Sequence, residues 1–428
     1  MISGCVLALV LLSVAAWAQA SPPFDAPHAK AYFDEARQVS DKEGGKLWGM
    51  TLYGPIVFVD LDSGTMIANQ QDPKGLLHKN GDVFEGALPK DITPSDTPIE
   101  WEGMRWTMLL WQLMPEDRLT RRKMFAHEMF HRIQPALHLD AADMPNLQLD
   151  TPEGRLWLQL EWRALAAALV EHGPAQLQAI RDALAFRDHR HSLFPGSADS
   201  ERSLEIAEGV PEYTGLAAAA QDVNVARWYA VAKLSDPDQS VSFVRAFAYT
   251  SGPPYGLLLD ERLPGWRHKL TAQSDLGALL ASTIKGPAVS AAARAEVYGA
   301  AAIRVAEADR AAKAAAIKAR YRQLLVDGPT LTIASAGHFN FTFNPSTVVA
   351  LQDIGAVYPT FHVSDAWGTL DVKDGALLPT DFSKVTVAAP KQTSGSHIEG
   401  PGWTLDLAAG WRIAPSARPG SFAVQKVP

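Results

Sequence analysis

The residues best equipped for chemistry in this chain lie together in Phe125-Ala126-His127-Glu128-Met129-Phe130-His131. On a helix, His127 and His131 are four residues apart and leave one face, so both imidazoles can grip one metal ion. Glu128 adjoins the first imidazole and can receive the proton of a water that the ion activates. Zinc brings the pKa of such a water from about 15.7 to roughly 7, and a carboxylate then shuttles the proton. The preceding Arg121 to Ala126 suits a helix, and Pro135 should end it within a turn. The competing reading is a surface helix whose histidines and glutamate are merely solvated.

Catalytic zinc takes three protein ligands and a water. His138 follows the motif too late, with Pro135 between, and reads as a structural or surface residue. The only cysteine, Cys5, falls in an N-terminal leader, so no thiolate is available. A carboxylate is therefore the expected third ligand, and Glu161 and Glu208 compete for the place. Glu161 sits in the strongly apolar Trp157-Leu158-Gln159-Leu160-Glu161-Trp162, where a buried charge needs a metal or a partner. Arg163 is two residues away and points elsewhere, so without metal Glu161 would pair with a distant arginine. Glu208 could equally be a solvated helix end.

A resemblance bears on this choice. Glu208-Gly209-x-x-Glu212-Tyr213 resembles the glutamate-helix motif of the aminopeptidase N family, in which the glutamate before glycine is the third zinc ligand. Tyr249-Thr250-Ser251-Gly252 is similar to that family's Tyr-x-x-Gly segment, whose tyrosine hydroxyl donates to the oxyanion of the tetrahedral intermediate. The order of the three segments is preserved. The resemblance implies a gluzincin-type zinc metallopeptidase with His127, His131 and Glu208 as ligands, Glu128 as base and Tyr249 as oxyanion donor, while Glu161 stays the alternative ligand on its own apolar setting. The interval from His131 to Glu208 exceeds the family's, which implies an insertion holding the Glu161 helix. Pro211, inside the second motif, would kink or begin a helix.

Other residues draw plainer readings. Glu212 could orient a ligand or bind a substrate amine, although solvation is its commoner fate. Arg163 could neutralise a buried acid or a substrate carboxylate. His189 and His191 lie in a polar run read as surface. Trp367, Trp403 and Trp411 could line a groove, but tryptophan in such strands more often packs a core. There is no phosphate-binding glycine loop and no nucleophile elbow.

The elements that must position these groups follow from composition and period. Apolar residues make up 47% of the 428 and charged residues 20%, enough for a large core. A net charge of −8 argues against a nucleic-acid partner, which requires a basic face. Residues 1–20 read as a signal peptide: the apolar Val6 to Ala18 precedes an Ala18-Gln19-Ala20 cleavage pattern. That run falls short of the roughly 20 residues that span a bilayer, and no later segment qualifies. The expectation is export to the periplasm or beyond, with no disulfide.

The expected fold class is α+β. Residues 21–116 should be a β-rich part of a zincin-like catalytic unit, with strands at Pro55 to Val59 and Arg105 to Trp111. Residues 117–327 should be its helical, zinc-binding part, closing with one helix from Val289 to Val326 of roughly 57 Å. From residue 328 the period switches to two, at Thr330 to Ile333, Phe339 to Phe343, Thr369 to Val372, Val385 to Val387 and Trp403 to Leu407, as in a β-sandwich or barrel. Together these readings predict an exported Zn2+-dependent hydrolase acting on a peptide or protein substrate. Its rivals are a non-catalytic exported binding protein with structural or vestigial zinc, and a zinc hydrolase of non-peptide amides or esters.

Overall fold

The computed structural model describes residues 22–427, except 62, 90–91, 93, 221, 237–241, 288, 338, 344–346 and 352–353. The signal-peptide reading of residues 1–20 and Cys5 lies outside the described residues. The chain is α+β, with an N-terminal sheet, a helical middle and a sheet-rich C-terminal region. Helix α1 (Ala26–Glu43) precedes strands β1 (Ile56–Asp60), β2 (Thr65–Ala68), β3 (His78–Asn80), β4 (Val83–Ala87), β5 (Thr97–Trp101) and β6 (Met104–Leu110). Then come α2 (Arg118–Ile133), α3 (Pro152–Val170), α4 (Gly173–Leu193), α5 (Ser197–Leu204), α6 (Val210–Ala219), α7 (Val223–Ser235) and α8 (Phe243–Arg262). Among the described residues, no helix is long and apolar enough to cross a membrane.

The chain forms two compact units, the first comprising Met1–Ala142, Ser203–Tyr229 and Tyr255–Leu276. Its sheet has the order β3-β4-β2-β1-β6-β5, with β1 parallel to β6 and the other pairs antiparallel. Because β1 reads Ile-Val-Phe-Val, it is buried on both faces. Val57 and Val59 join Trp106, Met108 and Leu110 in one core. On the opposite face Phe58 stacks on Phe33 of α1, centroids 4.5 Å apart, and lies 6.3 Å from Phe125 of α2. The arginines of α2's first turns, Arg118, Arg121 and Arg122, all reach Glu35 of α1, at 3.1, 2.8 and 2.8 Å. Helix α1, which periodicity did not reveal, is thus what holds α2 against the sheet.

The second unit comprises Asp143–Arg202, Ala230–Pro254 and Gly277–Pro428. In it α3 and α4 pair, and two sheets pack face to face. One has the order β17-β18-β7-β14-β13-β10-β9, built from Trp411–Pro415, Phe422–Lys426, Thr330–Ala334, Lys384–Ala388, Ala376–Leu378, Gly355–Tyr358 and Val349–Leu351. The other has the order β15-β16-β12-β11-β8, from His397–Gly400, Trp403–Leu407, Gly368–Val372, Phe361–Asp365 and Asn340–Phe343. Leu331, Val385, Trp367, Leu370, Trp403 and Leu405 fill the space between them. Trp403 Nε1 donates to the Ala388 carbonyl at 2.9 Å, so both tryptophans belong to the core and line no groove, while Trp411 packs at its margin.

Two expectations about helices need correction. The helix predicted from Val289 to Val326 is broken: a short turn at Ala291–Ala295 is followed by Gly299 at φ 76°, and the long helix spans Ala300–Arg322. A left-handed glycine ends a helix, and here it overrides the alanine-rich pattern. Conversely, the stretch Gly252 to Gly256, whose glycines and prolines predict a loop, lies inside α8 with Pro253 and Pro254. Each proline costs a helix roughly 3 kcal/mol, and burial of Tyr255 and Leu257 to Leu259 offsets it.

Candidate metal centre

Helix α2 starts at Asp117, whose carboxylate caps the Thr120 N–H at 2.7 Å. Its apolar residues Phe125, Met129, Phe130 and Ile133 are buried, which carries His127 and Glu128 into the interior of the first unit. Helix α6 lies directly against it. A Cβ on Gly215 would come within 2.6 Å of the Lys123 carbonyl oxygen and 3.3 Å of His127 Cβ, so only glycine permits this approach. Tyr213 anchors α6 from behind, donating to Asp260 at 2.6 Å, and Asp260 in turn pairs with Arg267.

The result is a tight triangle of ligand atoms. The Nε2 atoms of His127 and His131 are 3.0 Å apart, and Glu208 Oε2 lies 3.5 Å from the first and 3.4 Å from the second. Zinc bonds nitrogen and oxygen at about 2.0–2.2 Å, and tetrahedral ligands at that radius are separated by roughly 3.3–3.5 Å. The two histidine–carboxylate sides match that separation, the histidine–histidine side is about 0.3 Å shorter, and two imidazoles with one carboxylate are a donor set suited to zinc. Among the described residues these three are the group able to share an ion.

The far side of each imidazole is also held. His127 Nδ1 lies 2.9 Å from Glu212 Oε2, and Glu212 pairs with Lys123. His131 Nδ1 lies 2.8 Å from Gln134 Oε1. Outer partners of this kind fix the ring so that Nε2 faces the ion. Half-buried Arg132 secures the helix from another side by donating to the carbonyls of Leu52, at 2.9 Å, and Tyr53, at 3.3 Å.

Electrostatics agree with a cation site. Burial by itself would lower the pKa of His127, but hydrogen bonds to Glu208 and Glu212 overcome it and raise the value to about 10. Burial raises Glu208 and Glu212 as well, yet the two histidines hold Glu208 far below the carboxylate range. Lys123 and His127 bring Glu212 down to about 2. Without metal, a proton fills the role of the cation. Glu128 differs: burial raises its pKa, the nearby carboxylates of Asp96 and Glu208 add to that, and the two histidines oppose it. Its Oε1 is 4.0 Å from His127 Nε2, while its buried Oε2 has no hydrogen-bond partner among the described residues. A carboxylate with raised proton affinity and an unused oxygen beside the ligands is what a general base requires.

The chain matches no family model, no curated protein and no solved structure. Any assignment consequently rests on residues and distances.

The structure joins His127, Glu128, His131 and Glu208 but not Glu161. That carboxylate is fully buried in the second unit, 2.6 Å from Arg190 Nη1 and 3.6 Å from Arg187 Nη1. Arg190 also pairs with Glu201 at 2.7 Å, and His191 reaches the same Glu201 at 3.0 Å. The run read as surface is thus partly core, with Arg187 and Arg190 buried and His189 edge-on to Trp157 at 4.1 Å. Arg163 is exposed and donates to the Tyr298 carbonyl at 2.7 Å. His138 is left-handed at φ 56° and exposed, ending the turn after α2. Tyr249 lies on α8 in the second unit, where Arg245 Nη2 is 3.4 Å from its hydroxyl. Reading from the sequence overlooked Lys123 and Gln134, although both lie three or four residues from a histidine ligand, the spacing at which helix neighbours meet.

Proposed function

We propose that this chain is an exported zinc-dependent hydrolase, a metallopeptidase of the gluzincin kind that cleaves bonds in a peptide or protein substrate. The observation that carries the proposal is the triangle of His127 Nε2, His131 Nε2 and Glu208 Oε2, with sides of 3.0, 3.5 and 3.4 Å, and beside it Glu128 Oε2, which has no hydrogen-bond partner among the described residues. Zinc held there would polarise a carbonyl and lower the pKa of a water.

The rest of the chemistry belongs to the protein. Glu128 takes the proton of the attacking water and passes it to the leaving amine. Its raised proton affinity suits both transfers. Glu212 and Gln134 keep the two imidazoles oriented, and Lys123 balances the charge of Glu212. Three protein donors among the described residues, rather than four, favour a catalytic over a structural ion. Export rests on the signal-like residues 1–20.

Substitution Glu128→Gln tests the proposal. Metal content should be unchanged while peptide hydrolysis falls by about 100-fold or more, the scale of a lost general base. A fully active variant would remove Glu128 from the mechanism, and activity confined to esters or non-peptide amides would change the substrate class.

A further inference from the structure

The turn that carries Glu208 has an unusual hydrogen-bond ledger. The Val210 N–H bonds back five residues to the Glu205 carbonyl, forming a π turn over Glu205–Gly209. The next residue, Pro211, has no N–H with which to reach the Ile206 carbonyl. That carbonyl is taken by a side chain from another helix end: Gln134 Nε2 donates to it at 3.1 Å. The same Nε2 donates to the Leu139 carbonyl at 3.1 Å, and Gln134 is buried.

An amide carries two N–H donors on one atom and its acceptor on the other. With Nε2 facing two carbonyls, Oε1 is forced toward His131 Nδ1, 2.8 Å away. A flipped amide would set its oxygen against both carbonyls and leave the imidazole facing a donor. Thus His131 Nδ1 must bear a hydrogen, and in the neutral ring Nε2 keeps the lone pair.

We infer that Gln134 is a positioning residue that locks His131 as its Nε2-ligating tautomer. Pro211, by withholding one N–H, makes the Glu208 turn the anchor of that lock. The second and third ligands are therefore set by one shared amide: displacement of the turn releases the imidazole. The inference deepens the metal reading and rests on it for its consequence, while the tautomer is a property of the protein alone.

Two measurements on the full chain decide it. Nitrogen-15 NMR of the metal-free protein, with the His131 signals identified by their loss in His131→Gln, reads the tautomer. Chelator competition with zinc alone reads affinity. The wild type should show His131 protonated at Nδ1. Gln134→Leu should give mixed tautomers and weaken zinc by about 10–100-fold, the usual range for lost outer partners. Pro211→Ala supplies a competing N–H for the Ile206 carbonyl and should move both readouts the same way, by less. A wild-type His131 protonated at Nε2 and bare at Nδ1, or Gln134→Leu with unchanged tautomer and affinity, would overturn the lock. An unchanged Pro211→Ala would sever it from the turn. If the wild type takes up no zinc, the hydrolase reading fails, and the NMR result still decides the role of Gln134.

Discussion

Glu208 and Glu161 are the same side chain in opposite settings, and the difference lies in the cations around them. Glu208 faces two imidazoles whose Nε2 atoms can ligate a metal, whereas Glu161 faces guanidinium groups that cannot. Glu208→Ala should therefore lose metal, while Glu161→Ala should keep it and lose stability. Removing one partner of a buried ion pair costs about 3–5 kcal/mol, with Glu201 still beside Arg190 to soften the loss. Metal analysis and denaturant unfolding of the two variants separate these outcomes; the reverse ranking would transfer the ligand role. His127 adds a pH dependence. Its raised pKa, about 10, means that zinc must displace a proton at neutral pH, so apparent affinity should fall about tenfold per unit as pH drops. In the metal-free protein that proton contributes stability fully present below the ordinary 6.5 and lost as pH rises through about 10. Chelator competition between about pH 6 and 8 checks the slope, and a flat profile would contradict it.

At the scale of elements, the site depends on how closely α6 approaches α2. Gly215→Val would press into the Lys123 backbone and His127 Cβ. Overpacking of this kind costs about 1–3 kcal/mol, and metal affinity should drop with it; a melt and a zinc titration report both. The α2 motif was legible because two histidines and a glutamate at helical spacing are chemically specific, and Glu208 was preferred to Glu161 only through the resemblance of Glu208-Gly209-x-x-Glu212-Tyr213 to a zinc-ligand segment. What stayed hidden was tertiary. No local pattern announces that Arg190 is buried between two acids, or that Gln134 reaches a carbonyl exposed by a distant proline. The strands after residue 328 were readable from their alternation, since Leu331 and Ile333 in one strand and Trp403 and Leu405 in another are buried two residues apart. Helix α1 was not, because its polar face and its buried Phe33, Ala36 and Val39 give a weak stripe. Gly299 and the prolines of α8 show the two ways in which packing and backbone geometry override periodicity.

For the whole molecule, the metal would tie together segments of the first unit that are far apart in sequence, α2 and the turn before α6. A ligand that binds only the folded state stabilises it by about 2.7 kcal/mol at a hundredfold excess over its Kd. Zinc should accordingly raise the melting temperature of the wild type, a chelator should lower it, and Glu208→Ala should respond to neither. The most direct test is X-ray absorption at the zinc edge on the loaded wild-type protein, with the metal quantified in the same sample. One zinc per chain, bound by two imidazoles, one carboxylate and a water at about 2.0–2.2 Å, is the predicted result. Failure to retain any divalent metal, or a shell closed by a fourth protein ligand, would contradict a catalytic centre at His127, His131 and Glu208.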